Sequence, residues 1–174
     1  MKSIVAALLA LLILPASALA ETPTGGFSSD AAVAEAPAGK AAIASDRRTA
    51  VAPQGAPAQV VKAIAAANKI TRKPYKWGGG HGRWWDSGYD CSGSVSYVLH
   101  KAGLLDASRD STGFMSYGKR RRGAWITIYA NGGHAYMEIA GLRFDTSGAG
   151  EDGPRWRLEK RSARGFVKRH PAGL

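Results

Sequence analysis

The sequence predicts an α+β domain in which helices pack on a central antiparallel sheet. Two stretches carry apolar residues at helical spacing, near residues 57–69 and 91–103. A series of short segments rich in β-branched and aromatic residues follows, from Trp125 to Arg169, broken by glycine turns. Helices first and a run of antiparallel strands after them point to helices laid on one sheet.

The chain has 174 residues, enough for one domain with appendages. Residues 1–20 read as an export signal. Lys2 gives a positive start, the run from Ile4 to Leu14 is almost wholly apolar, and Ala18-Leu19-Ala20 supplies an A-x-A cleavage pattern. That apolar run falls short of the ~20 residues a membrane span needs. The mature chain is therefore expected to be secreted, or periplasmic and wall-associated, with no integral membrane segment. Residues 21–56 are rich in Ala and Pro without a sustained apolar period, which predicts a disordered linker. The folded domain is expected over residues 57–174, as a monomer.

Pro57 suits the first turn of a helix, and Val60, Ile64 and Ala67 make its apolar stripe up to about Lys69. An extended piece, Lys73-Pro74-Tyr75-Lys76-Trp77, runs into a glycine loop that continues to Tyr89. Asp90 is a good N-cap for a second helix starting at Cys91. Val95, Val98, Leu99 and Ala102 form its apolar face, and Gly103 ends it. The predicted strands cover Trp125–Ala130, His134–Ala140, Leu142–Thr146, Arg155–Glu159 and Phe166–Arg169. In the second of these, Ala135, Met137 and Ile139 share one face, and His134, Tyr136 and Glu138 the other.

Cys91 is the only cysteine, so it has no internal disulfide partner. An unpaired thiol in an oxidising compartment is either buried and inert or kept for chemistry. Its place at a helix start favours the second. The unpaired N–H groups and partial positive charge there favour a thiolate, and the same N–H groups can receive an oxyanion. A thiol nucleophile needs a base, usually histidine. Of His81, His100, His134 and His170, His134 is the strongest candidate, because it opens a strand right after the Asn131-Gly132-Gly133 turn. A hairpin about Gly141 brings Asp145 within a residue or two of lying opposite His134, where a carboxylate orients the imidazole. Two alternatives stand beside this. In one, Asp145 pairs instead with Arg143 on the same face. In the other, Glu138 is the orienting group, since it shares the His134 face, though about 13 Å along the strand.

Several blocks taken together resemble the NlpC-type peptidases, papain-like enzymes that hydrolyse peptidoglycan stem peptides. They are Pro74-Tyr75-Lys76-Trp77-Gly78-Gly79, Asp90-Cys91-Ser92-Gly93-Ser94-Val95, Ala102-Gly103-Leu104 and Gly133-His134-Ala135-Tyr136-Met137. The likeness covers about residues 57–146. It implies a papain-like fold with Cys91 as nucleophile at a helix N-terminus, His134 as base and Asp145 as the third member. It also implies that Tyr75 lies beside the nucleophile and touches substrate or oxyanion, and that Asp90 and Ser92 bind the substrate's amino end. The chain departs from the family on either side of the histidine. Gly123-Ala124-Trp125-Ile126-Thr127-Ile128-Tyr129 replaces the usual Pro-Gly-Asp-led strand, and Tyr136 and Glu138 stand where small or apolar residues are usual.

The implied reaction is hydrolysis of an amide in a stem peptide through a thioester acyl-enzyme. Other readings are a papain-like amidase or acyltransferase on another substrate, and a catalytically silent wall-binding protein. The net charge of +11 favours polyanions, and with an export signal the expected partner is peptidoglycan or another anionic cell-wall polymer, not nucleic acid. No CxxC pair or HExxH motif is present, so no metal or other cofactor is expected.

Overall fold

Apolar periodicity sets the layers, and glycine turns set the connections. The structure, a computed structural model, describes residues 39–148 and 153–174. The export signal expected over residues 1–20 and the first part of the linker lie outside the described residues. Helices α1 (Ala58–Ile70), α2 (Cys91–Lys101) and the short α3 (Ser111–Phe114) precede all of the main sheet. That sheet has six strands: β3 (Lys119–Arg120), β4 (Ile126–Ala130), β5 (Ala135–Ile139), β6 (Leu142–Asp145), β7 (Arg155–Arg157) and β8 (Val167–His170). The spatial order is β3-β8-β4-β5-β6-β7, with every pairing antiparallel. The expected α+β class holds. The C-terminal strand β8 returns to insert between β3 and β4, a pairing that no local pattern announces.

Val60, Ile64 and Ala67 of α1 and Val95, Val98 and Leu99 of α2 are buried, as their spacing requires. They meet Ala135, Met137 and Ile139 of β5 in the core, so α2 lies on β5. The opposite face of the sheet is covered too. Tyr129 and Tyr136 stack at 4.6 Å and are only 2% and 1% exposed, with Phe166 packed edge-on against Tyr136. Full burial of a large apolar side chain contributes about 1.5–3 kcal/mol, so this pair anchors the outer layer.

The domain edge expected at Pro57 lies earlier, because residues 40–56 are folded. Strands β1 (Ala42–Ile43) and β2 (Ala50–Val51) form an antiparallel hairpin. Asp46 builds its turn, accepting the backbone N–H groups of Arg48 and Thr49, each at 2.9 Å. The Asn68 side chain on α1 brackets Ala50, accepting its N–H at 2.9 Å and donating to its carbonyl at 2.8 Å. Ala41 donates to the Ala140 carbonyl at 2.9 Å. Small alanines let this segment lie close to the core, so its order comes from tertiary hydrogen bonds and leaves no apolar period to read.

Among the described residues, no helix is long and apolar enough to cross a membrane.

Candidate active site

Cys91 is the first residue of α2 and Asp90 is its N-cap, as the sequence predicts. Asp90 Oδ1 accepts the Gly93 N–H at 2.7 Å, closing the first turn. The same carboxylate fixes the glycine loop beneath the helix. Its Oδ2 accepts the Gly78 N–H at 3.0 Å, and His81 Nε2–H donates to Oδ1 at 3.0 Å. The Gly93 backbone rests directly on the Gly79 carbonyl, where a Cβ would collide. The Tyr-x-Trp-Gly-Gly and Asp-Cys-Ser-Gly blocks therefore form one physical unit, a loop docked on a helix start with no room for side chains between them.

His134 immediately precedes β5, after a turn in which Asn131 Oδ1 accepts the His134 N–H at 2.9 Å. Its Nε2–H donates to Asp145 Oδ1 at 2.9 Å. A carboxylate only accepts, so Nε2 carries the proton and Nδ1 is the nitrogen left for the sulfur. Cys91 lies close enough to the His134 imidazole and the Ala135 N–H for both to act on its charge. The structure thus brings Cys91, His134 and Asp145 into one chain of contacts across the seam between α2 and β5.

The charges follow from these contacts. Burial works against the Cys91 thiolate. The His134 hydrogen bond, the Ala135 N–H and the imidazolium charge outweigh it, and the thiol lies below its ordinary value. Burial also works against the His134 cation, but Asp145 and Cys91 overcome it and raise the imidazole to about 9. Asp145 has a fully buried side chain. Burial alone would raise its pKa, yet His134, the Ser147 N–H and the Arg161 charge hold it below the usual carboxylate value. Both shifts favour the thiolate–imidazolium form of the pair over the neutral one.

Two further residues complete this network, neither of them expected from the sequence. Ser147 donates to Asp145 Oδ1 through its backbone N–H at 2.9 Å and its hydroxyl at 3.1 Å. Arg161 donates to Asp145 Oδ2 at 3.0 Å and also to Ser147 Oγ, with its guanidinium over the Tyr136 and Phe166 rings. The signal for Ser147 is its place just past the Asp145 strand. Arg161 sits in the connection between β7 and β8, where only tertiary structure brings it close. Of the two alternatives to the His134–Asp145 pair, Arg143 is a minor partner of Asp145, with its Nε 3.6 Å from Oδ2. Glu138 is engaged elsewhere, accepting from Arg122 at 2.7 Å and from the Tyr129 hydroxyl at 2.8 Å.

The other histidines have different partners. His100 stacks on Trp84 at 3.8 Å and His170 faces the Pro171 carbonyl. A cleft of about 270 Å³ opens at Cys91, with Tyr75, Trp77, His81 and Asp110 among its walls. A second hollow, on the His134 side, is lined by Tyr75, Thr146, Ser147 and Gly148. Tyr75 borders both, and it is 41% exposed. Burial and the nearby thiolate raise its phenol pKa, so it remains an O–H donor at neutral pH. Asp90 and Ser92 also line the Cys91 cleft, but Asp90 is committed to the cap and the Ser92 hydroxyl turns to Asp90 Oδ1 at 3.3 Å. Among the described residues, no group of three or more His, Cys, Asp or Glu side chains could hold a metal ion.

No protein-family model matches the chain, and no curated protein matches it either. The geometry of the site is thus what bears on function.

Proposed function

We propose that this chain is a cysteine peptidase of the NlpC type, with the papain-like version of the α+β fold, that cleaves an amide in peptidoglycan stem peptides outside the cytoplasm. The observation that carries this reading is the alignment of Cys91, at the start of α2, with the His134 imidazole, which is itself hydrogen-bonded to Asp145 at 2.9 Å.

The geometry supports the following chemistry. The Cys91 thiolate attacks the amide carbonyl. The N–H groups at the start of α2 and the Tyr75 hydroxyl are the donors nearest the developing oxyanion. His134, already protonated, gives its proton to the departing amine and leaves a thioester on Cys91. The neutral imidazole then takes a proton from water, which attacks the thioester and frees the thiol. Asp145 stabilises the imidazolium and holds the ring so that Nδ1 faces the sulfur. The mature enzyme acts as a monomer.

Digestion of purified cell wall tests this. Wild-type protein should release muropeptides whose masses locate the cut, and Cys91→Ala should release none. Undiminished release by that variant would remove Cys91 from the reaction and the peptidase reading with it.

A further inference from the structure

The outer face of the sheet carries a basic groove that the proposed hydrolysis does not use. One concavity of about 370 Å³ is lined by Lys40, Arg122, Arg143, Lys160, Arg161 and Lys168, together with Arg157. A second, of about 440 Å³, lies beside Arg120, Arg121 and Arg169. Lys168 lines both, so they form one continuous surface from the β3–β8 edge to the back of the catalytic site.

Ten Lys or Arg residues line this surface, against two carboxylates, Glu138 and Glu159. Glu138 is already engaged by Arg122. Among the described residues, Lys40, Arg120, Arg121, Lys160 and Lys168 have no ion pair. Arg143 is only 8% exposed and is ion-paired with Asp145, its Nε 3.6 Å from Oδ2. Arg121 holds a backbone φ of 81°, which residues with a side chain rarely adopt, while its N–H is tied to the Lys168 carbonyl at 3.1 Å. Clustered like charges repel, so five cations without an ion pair, the strained Arg121 among them, suit a surface shaped for an anion.

We infer that this groove binds a phosphodiester-linked wall polymer, with the lysines and arginines on its phosphates. The choice of a wall polymer rests on the wall-enzyme reading above, whereas the polyanion chemistry rests on the groove alone. Nucleic acid fits less well. Single strands are held by stacking bases on exposed aromatic rings. Here none of the exposed aromatics lines the groove: Tyr75 and Trp77 belong to the Cys91 cleft and Trp85 to the glycine loop, and the large exposed apolar residues of the groove are the aliphatic Leu158 and Val167. The groove ends at Arg161, which also holds Asp145, so a bound polymer would lie next to the catalytic site.

The test is binding of the full chain to poly(glycerol phosphate) across a salt series, with a single-stranded DNA oligonucleotide of equal charge as competitor. Affinity should fall steeply with salt. The triple variant Lys40→Gln/Lys160→Gln/Lys168→Gln should bind at least about tenfold more weakly at low salt. Its logarithmic salt slope should be shallower by about 2–3, near one for each phosphate no longer neutralised. Its hydrolysis of small soluble muropeptides should be unchanged. Cys91→Ala should bind poly(glycerol phosphate) like wild type, so failure of the peptidase reading and failure of the groove are seen separately. Equal binding by the triple variant would overturn the groove, and tighter binding of the oligonucleotide would overturn the wall polymer.

Discussion

Asp145 Oδ1 lies 2.9 Å from His134 Nε2, from a position one residue beyond the Met137–Phe144 pair of β5 and β6. The register therefore sets the carboxylate diagonally across from the histidine, on the same face of the sheet. Replacing Asp145 with Asn keeps the shape and removes the charge. An opposite charge at this distance shifts a pKa by about 1–3 units, so His134 should titrate at least about one unit below its value of about 9. The alkaline limb of the kcat/KM profile should move down with it, and kcat should drop by about tenfold or more as the imidazolium loses its support. An unmoved alkaline limb would show that Asp145 does not set the charge of His134.

Arg161 acts on the same carboxylate with the opposite sign. Its charge draws on Asp145 and weakens the pull of Asp145 on His134. In Arg161→Gln the His134 pKa should rise, and the alkaline limb should move up where Asp145→Asn moves it down. A merely structural Arg161 would lower activity at every pH without shifting either limb, so the profile separates the two roles.

The acid limb belongs to Cys91. Its thiol lies below the ordinary value because the interactions with His134 and the Ala135 N–H outweigh burial. Alkylation by iodoacetamide should therefore proceed at pH values where a free thiol, with a pKa of about 8.5, is almost wholly protonated. In His134→Ala the imidazolium is gone, and the alkylation midpoint should move up by about one unit or more. Equal midpoints in the two proteins would place the source of thiolate stability in the backbone N–H groups alone.

Much of this site can be read from the sequence, and the rest has identifiable reasons for being hidden. Cys91, His134 and Asp145 each carry a local signal: an N-cap followed by an apolar period, a glycine turn before an alternating strand, and a tight turn at Gly141 that fixes the register. Arg161 and the insertion of β8 next to β4 have none, because both depend on where a long connection returns. His81 shows the same limit. In sequence it is a loop histidine beside glycines, and only the fold docks it on Asp90. Residues 40–56 look like a linker because side chains far along the chain, above all Asn68, supply their order.

Asp90 ties the loop to the helix, so its loss should be felt in stability as well as rate. Asp90→Ala removes a cap worth about 1 kcal/mol and strips partners from the Gly78 N–H and His81. Total destabilisation of about 2–4 kcal/mol should be seen in urea unfolding. Burial raises the Asp90 pKa, but the bond from His81 and the N–H groups of Gly93 and Gly78 outweigh it and leave the carboxyl below its ordinary value. A lowered folded pKa means that the Asp90 contribution is complete above the unfolded carboxylate range and is lost as pH falls through the folded value. The stability gap between wild type and Asp90→Ala should narrow on acidification below about pH 4. Asp90→Asn, which still accepts from Gly93, should lose less.

Gly93 offers the sharpest test of why the two motif blocks occur together. A Cβ there would run into the Gly79 carbonyl oxygen and crowd Asp90 Oδ1, both of which define the seat of Cys91. Gly79 cannot give way, since its own back is closed by the Gly88 carbonyl. Gly93→Ala should cost about 1–3 kcal/mol through overpacking. Because the displaced backbone carries Tyr75 and the N-cap, kcat should fall even at temperatures where the variant is fully folded. Gly82→Ala is the matched control. It lies in the same loop with nothing within 4 Å of the added carbon and an ordinary φ, so it should be neutral or slightly stabilising. If both alanines behave alike in melting temperature and in kcat, the contact between loop and helix does not hold the nucleophile, and the docked-loop account of the motif fails.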